Sequence, residues 1–418
     1  MPGKKSVSRR ELLKGISAAS LLSALPLPAP RGGAAPGKKL HAAVVGAGVF
    51  GSFSALALRR LGARVTLLDS WGPGNARASS GGETRVIRGV YGGDRIYVEM
   101  AARAFDLWRE NEARWKRRLY HATGAIWMVS ESAGGDFVRA SMPVLREFGF
   151  PFEELSANEA ARRYPQIDWQ GVKWVLREER AGYLLARQAC AAAVEGLVAE
   201  GGEYRQAAVA PGAIRQGGME PVRLSDGGTL RADVYLFACG PWLATLFPDV
   251  LGGLIQPTRQ DVFFFGTPAG DARFSEGNLP VWVDFGAKLL YGIPGNERRG
   301  FKVADDTRGA PFDPTNGERT PSAEALKAAR EFLARRFPAL ADAPVVESRV
   351  CQYENTPDHH FLLDRHPEAE NVWLVGGGSG HGFKFGPAWG ERVADTVTGK
   401  KKLDPFFALS RFSKGDSA

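Results

Sequence analysis

Lys39-Leu-His-Ala-Ala-Val-Val-Gly46-Ala-Gly48-Val-Phe-Gly51-Ser-Phe-Ser-Ala-Leu-Ala-Leu-Arg-Arg-Leu61-Gly62-Ala-Arg-Val-Thr-Leu-Leu-Asp69 decides the fold. A short apolar strand over Lys39–Val45 runs into a glycine turn, and a helical pattern covers Val49–Leu61. Gly62 ends the helix, and a second strand over Ala63–Leu68 closes at Asp69. This is a βαβ unit of about 30 residues with an acid at the end of its second strand, the dinucleotide-binding pattern. Gly46 permits the tight turn, Gly48 lets backbone approach a pyrophosphate, and Gly51 lets the helix pack closely on the strands. The first helical N–H groups, at Val49 and Phe50, then face the phosphates. Asp69 is positioned to bond the adenosine ribose.

Working outward, Gly72-Pro-Gly-Asn-Ala-Arg77-Ala-Ser79-Ser80-Gly-Gly-Glu-Thr-Arg85-Val-Ile-Arg88 follows at once. Its small and hydroxylated residues suit the passage of a pyrophosphate and a flavin edge, and two arginines three apart would share a helical face. A helix is expected over Asp94–Arg118, a strand over Gly124–Ser130, and a helix over Ala157–Arg163 capped by Ser156. A helix over Arg187–Gly201 leads to strands over Ala207–Ser225 and Leu230–Ala238 that return to the nucleotide domain. The second of these ends in a turn at Gly240 near the cofactor. Strands at Asp261–Phe265, Val281–Phe285, Lys288–Ile293 and Gly300–Val303 precede a helix over Ser322–Phe337. Val372–Val375 then enters a glycine run, and a last helix covers Pro387–Thr398.

The expected fold class is α/β: a discontinuous Rossmann-type FAD-binding domain (39–115, 181–255 and 346–412) with an α+β substrate domain (116–180 and 256–345). The substrate domain carries a large mixed or antiparallel sheet. A chain of 418 residues has room for about two domains of roughly 150–200 residues.

The net charge of +8 overstates the basicity of the body. Lys4, Lys5, Arg9, Arg10, Lys14 and Arg31 lie in the first 35 residues against Glu11 alone. The remaining basic residues are interspersed with acidic ones, with no stripe of the kind that binds nucleic acid. Residues 1–36 read as an export signal: Ser8-Arg-Arg-Glu-Leu-Leu-Lys14 resembles the twin-arginine pattern and precedes a weakly apolar run over Ile16–Leu27. That run is shorter than the about 20 residues a bilayer span needs, so no stable membrane insertion is expected. The expected location is periplasmic or extracellular, with the twin-arginine machinery as a partner.

Three cysteines, Cys190, Cys239 and Cys351, are too few for a disulfide framework. Cys190 in a helix and Cys239 in a buried strand read as inert packing, whereas polar neighbours set Cys351 apart. Its block, Cys351-Gln-Tyr-Glu-Asn-Thr-Pro-Asp, leads to Gly376-Gly-Gly-Ser-Gly-His-Gly-Phe-Lys384. A thiol, a glycine-rich backbone and a lysine in that order suit a flavin. His359, His360, His366 and His381 share the block without a zinc-ligand spacing, so no metal is expected.

Four motifs together resemble the monomeric sarcosine oxidase and N-methyltryptophan oxidase family, over most of residues 39–412. They are Ala78-Ser-Ser with Glu-Thr-Arg85-Val-Ile-Arg88, Tyr291-Gly-Ile-Pro with Gly-Phe-Lys302, Cys351–Pro367, and Gly380-His-Gly-Phe-Lys384. The resemblance implies a monomeric FAD enzyme that oxidises the C–N bond of a secondary or N-alkyl amino acid. The imine is hydrolysed and O2 is reduced to H2O2. It implies FAD joined to Cys351 as an 8α-S-cysteinyl thioether, with Gly380, Gly382, Phe383 and Lys384 also at the cofactor. Arg88 and Lys384 would clamp the substrate carboxylate, and Lys302 beside Arg85 would activate oxygen. Tyr291 and Tyr353 would line the substrate cavity.

Two positions depart from the family: Gly81 and Asp306 stand where histidines are found. They shift the expected substrate from sarcosine towards a bulkier or more cationic amine. A dehydrogenase passing electrons to a quinone or protein carrier, and an oxidase of cyclic or glycated amino acids, are the alternatives on the same scaffold. So is a flavin-bearing subunit without turnover.

Overall fold

A computed structural model of the chain describes residues 39–130, 132–286 and 288–414; the export signal read at 1–36 lies outside them. Ala42, Ala43 and Val44 are fully buried, the unbroken apolar run of a strand covered on both faces. His41–Val45 pairs in parallel with Arg64–Asp69 on one side and Val234–Phe237 on the other. The six-stranded sheet runs Leu362–His366, Ala369–Gly376, Val234–Phe237, His41–Val45, Arg64–Asp69, Glu203–Gln206, with only its first pair antiparallel. Helix Val49–Arg60 is buried along most of its length, packed beside helices Ala186–Ala199 and Gly386–Val397.

An eight-stranded sheet forms the other half. Its order is Val345–Asn355, Gln256–Phe265, Phe301–Asp305, Leu289–Ile293, Val281–Phe285, Ala125–Val129, Trp174–Glu178, Phe152–Ser156. All neighbours are antiparallel except Val281–Phe285 with Ala125–Val129. Trp282 packs against Phe301, Phe332 and Phe337 beneath helix Ala323–Arg336, whose Ser322 cap accepts from the Ala325 N–H at 3.1 Å. Aromatic area of this kind dominates core energetics.

A small sheet of Thr84–Ile87, Gly182–Leu185 and Tyr120–His121 changes the reading of the arginine pair. Arg85 lies in a strand and Arg88 just beyond it, so the two share no helical face. The β-branched Thr84, Val86 and Ile87 favour extended backbone, and Gly182–Leu185 supplies the partner edge. The expected strand over Ala207–Ser225 is instead a set of two- and three-residue hairpin strands outside the nucleotide sheet. Pro211, Gly212, Gly217 and Pro221 break it. Helix Ser132–Glu147 and strands Phe152–Ser156 and Trp174–Glu178 are additional elements. Among the described residues, no helix is long and apolar enough to cross a membrane.

Candidate active site

The glycine turn is built by close approach. Gly46 has φ +104°, and a Cβ there would lie 2.3 Å from the Ala238 carbonyl oxygen; one on Gly51 would lie 1.8 Å from that of Gly46. A Cβ on Gly48 would meet nothing nearer than Ser80 Oγ at 3.4 Å, which leaves that flank of the turn free for a ligand. Of the helix-terminal N–H groups, that of Val49 donates to Ser80 Oγ at 3.0 Å. Asp69 braces the turn from below: Oδ2 accepts from the Ala47 N–H at 2.7 Å, and Oδ1 from those of Trp71 and Gly72 at 2.8 Å. Burial raises its carboxyl above the usual range while those three donors oppose the rise. Carboxylate oxygens accept more than one bond, so Asp69 retains capacity for a ribose hydroxyl.

A cavity runs from Asp69 and Trp71 past Gly48, Ser79 and Gly240 to Tyr353, Gly380 and Phe383. Cys239 lines it too and is half-buried. The strand ends at Phe237, so this cysteine sits in the turn at the cavity wall and not in the packed strand expected for it. Cys190 is fully buried, as expected.

A second, smaller cavity adjoins the first, sharing Arg85, Gly380 and Phe383 in its walls. It brings Arg88, Tyr291 and Lys384 together with Trp127, Asp306 and His381. Lys384 is buried, and its Nζ donates to Tyr91 Oη at 2.7 Å and to the His381 carbonyl at 2.6 Å. Burial, then the Arg88 charge, push the ammonium well below its ordinary value. The Arg88 guanidinium donates to the Val90 carbonyl and lies over the Tyr91 ring at 4.3 Å and the Trp127 ring at 5.1 Å. Two basic side chains around one aromatic ring form an arrangement that can clamp an anion.

Arg85 links the two cavities. It donates to the Thr84 carbonyl at 2.8 Å, to the Ser79 carbonyl at 2.5 Å, and to Cys351 Sγ at 3.3 Å. Cys351 stands opposite Gln260 on the long Val345–Asn355 ladder, one position from cavity-lining Gln352. Lys302 is 2% exposed; its Nζ donates to the Thr84 carbonyl at 3.2 Å and lies 5.3 Å from the Tyr291 ring centre. Burial, with help from Arg85, brings it down to about 7. Glu354 is a buried acid in the larger cavity, bonded to Ser79 Oγ at 3.2 Å and to the Gly378 N–H at 3.3 Å. Burial pushes it up to about 7.

The two departures have structural content. A Cβ on Gly81 would lie 1.9 Å from the Asn75 carbonyl oxygen, so the backbone admits no side chain there. Asp306 lies on the wall of the smaller cavity and accepts from Tyr353 Oη at 2.7 Å. Tyr91, Trp127, Glu178 and Glu354 are not among the site residues expected from sequence. Tyr91 has a signal in its place three residues after Arg88; Trp127 and Glu178 reach the site only through strand pairing.

With the open flank of Gly48 at one end of the larger cavity and Arg85 at the other, the residues present fit FAD. A phosphate cradle that shares its far wall with a cation-lined pocket defines a dinucleotide-dependent oxidoreductase. The chain belongs to the FAD dependent oxidoreductase (DAO) family, which it matches over residues 41–396, and within it to the sarcosine oxidase group. It is 31% identical over 360 residues to the monomeric sarcosine oxidase of Streptomyces avermitilis, covering 84% of this chain and 92% of that one. It is 27% identical over 385 residues to the N-methyl-L-tryptophan oxidase of Yersinia pestis (strain Pestoides F), covering 88% and 98%. The fold is shared with the L-proline dehydrogenase of P. horikoshii, with TM-score 0.78 and 22% identity over 90% of this chain and 98% of that one. It is shared also with Amadoriase I of Aspergillus fumigatus, with TM-score 0.74 and 23% identity over 90% of each.

Proposed function

We propose that the protein is an exported, monomeric FAD-dependent oxidase of a secondary or N-alkyl amino acid. The observation that carries this reading is the Arg88–Tyr91–Lys384 clamp, whose two basic residues line a cavity that shares a wall with the larger one. A carboxylate held there places the adjacent C–N bond towards the Gly380–Phe383 wall shared by both cavities. Such orientation is the protein's main contribution when a cofactor performs the redox step. Bound FAD supplies the two-electron acceptor, and the imine product is hydrolysed by water. Lys302 and Arg85 place positive charge where oxygen is reduced to peroxide. Cys351, with a guanidinium at its sulfur, is the point of covalent attachment. The names of the sarcosine and N-methyl-L-tryptophan oxidases support the substrate class, and the Ser8–Lys14 pattern supports export through the twin-arginine route.

Peroxide formed per amino acid consumed in air tests the reading. One equivalent is expected. Substrate-driven reduction of a quinone or dye without peroxide would instead assign the protein as a dehydrogenase.

A further inference from the structure

Asp306 is the feature that the clamp alone does not explain. Among the described residues lining the smaller cavity it is the one acid, set against Arg85, Arg88 and Lys384. Its backbone is fixed by the Asp306 N–H donating to the Leu289 carbonyl at 2.9 Å. Tyr353 Oη occupies Oδ1 at 2.7 Å, and Oδ2 makes no hydrogen bond among the described residues. The other nearby acids are committed. Glu178 accepts from the Gly89 N–H at 2.6 Å and Trp127 Nε1 at 2.8 Å, while Asp305 meets Lys288 at 3.4 Å.

An amino acid in neutral water is a zwitterion. Moving its ammonium into a cation-lined cavity without a counterion is costly. We propose that the pocket takes its amino acid as the zwitterion, Arg88 and Lys384 holding the carboxylate while Asp306 receives the ammonium group. This rests on the amino-acid oxidase reading and specifies how that substrate is recognised. Asp306 then accepts one proton: the substrate N–H bond breaks, an O–H bond forms on the carboxylate, and the lone pair returns to nitrogen. That lone pair is what C–N oxidation to an imine requires. Burial, with some help from Asp305, raises the Asp306 carboxyl above its ordinary range, while the Tyr353 hydrogen bond, Arg88 and Lys384 oppose the rise. Tyr353 Oη is bonded to it, and Tyr291 and His381 line the same cavity. Asp306 is thus a group of mixed character, able to hold a cation and to take a proton from it.

The test compares wild-type, Asp306→Asn and Asp306→Ser holoproteins, with flavin content and Tm confirming that each folds. Anaerobic flavin reduction by N-methyl amino acids is measured against pH, and methoxyacetate, a carboxylate without an amine, is titrated by its effect on the flavin spectrum. At neutral pH both variants should need about 10- to 100-fold more amino acid than wild type. The gap should close as pH rises through the amine pKa, because a free amine needs no counterion. Methoxyacetate should bind the variants more tightly, since a negative charge beside the clamp is gone. An unchanged amino-acid requirement, or a deficit independent of pH with no gain for methoxyacetate, would overturn the proposal. If no amino acid reduces even the wild type, the oxidase reading fails separately. The methoxyacetate arm then decides, and unchanged affinity rejects the charge arrangement.

Discussion

The Arg85 guanidinium stands 3.3 Å from the sulfur of Cys351, although 266 positions separate them in the chain. That hydrogen bond ties the sulfur to a cavity-lining side chain and fixes where it stands. Cys351→Ala is expected to abolish covalent flavin, and Arg85→Met to lower the attached fraction severalfold while leaving non-covalent flavin. The mass of the denatured protein, with or without one added FAD, checks both.

Lys302 carries the second expectation. With its ammonium brought down to about 7, the cation is present below that pH and lost above it. Reoxidation of the reduced enzyme by O2 should slow as pH rises above about 7. Lys302→Met should be about 10²–10³-fold slower and insensitive to pH over that range. Its anaerobic reduction by substrate should stay within a few-fold of wild type. Stopped-flow mixing of the two half-reactions separates these outcomes.

Glu354 predicts a stability effect of definite sign. Its carboxyl rises from an ordinary 4.5 to about 7 in the folded state, so folding favours the protonated form. The penalty of ionising it is absent below about pH 4.5, grows to pH 7, and then levels off at roughly 3 kcal/mol. Glu354→Gln keeps an amide oxygen for the Gly378 N–H and should raise Tm at pH 8 but not at pH 4. Equal Tm values at both pH values would contradict the burial argument.

Gly51→Ala reverses the usual helix rule. Ala in place of Gly inside a helix ordinarily stabilises by about 1 kcal/mol. Here the added methyl would lie 1.8 Å from the Gly46 carbonyl oxygen, and backbone must shift to relieve it. The change should cost about 2 kcal/mol or more and reduce flavin retention, read by thermal unfolding and by the flavin-to-protein absorbance ratio.

What is legible in the sequence is local. The βαβ unit from His41 to Asp69 follows from neighbouring residues, so strand, turn and helix can be read in order. Asp306 is found by its distance from Lys302 along the strand it follows, which the fold preserves. Arg85 and Arg88 do not share the expected helix face, because two residues three apart carry too little periodicity to tell helix from strand. Their strand is decided by pairing with Gly182–Leu185, a long-range contact. The same reason hides Trp127, which reaches Arg88 from a strand in the other sheet. Helix Ser132–Glu147 is obscured by Gly134, Gly135 and Pro143, whose local preferences tertiary packing overrides.

Anaerobic mixing of the purified flavoprotein with a panel of N-methyl, cyclic and glycated amino acids tests the central claim most directly. The flavin's visible absorbance should bleach with at least one of them, more slowly in Arg88→Ala and Lys384→Ala at limiting substrate. A flavin that none of them bleaches, in protein shown to be fully loaded, would contradict the account.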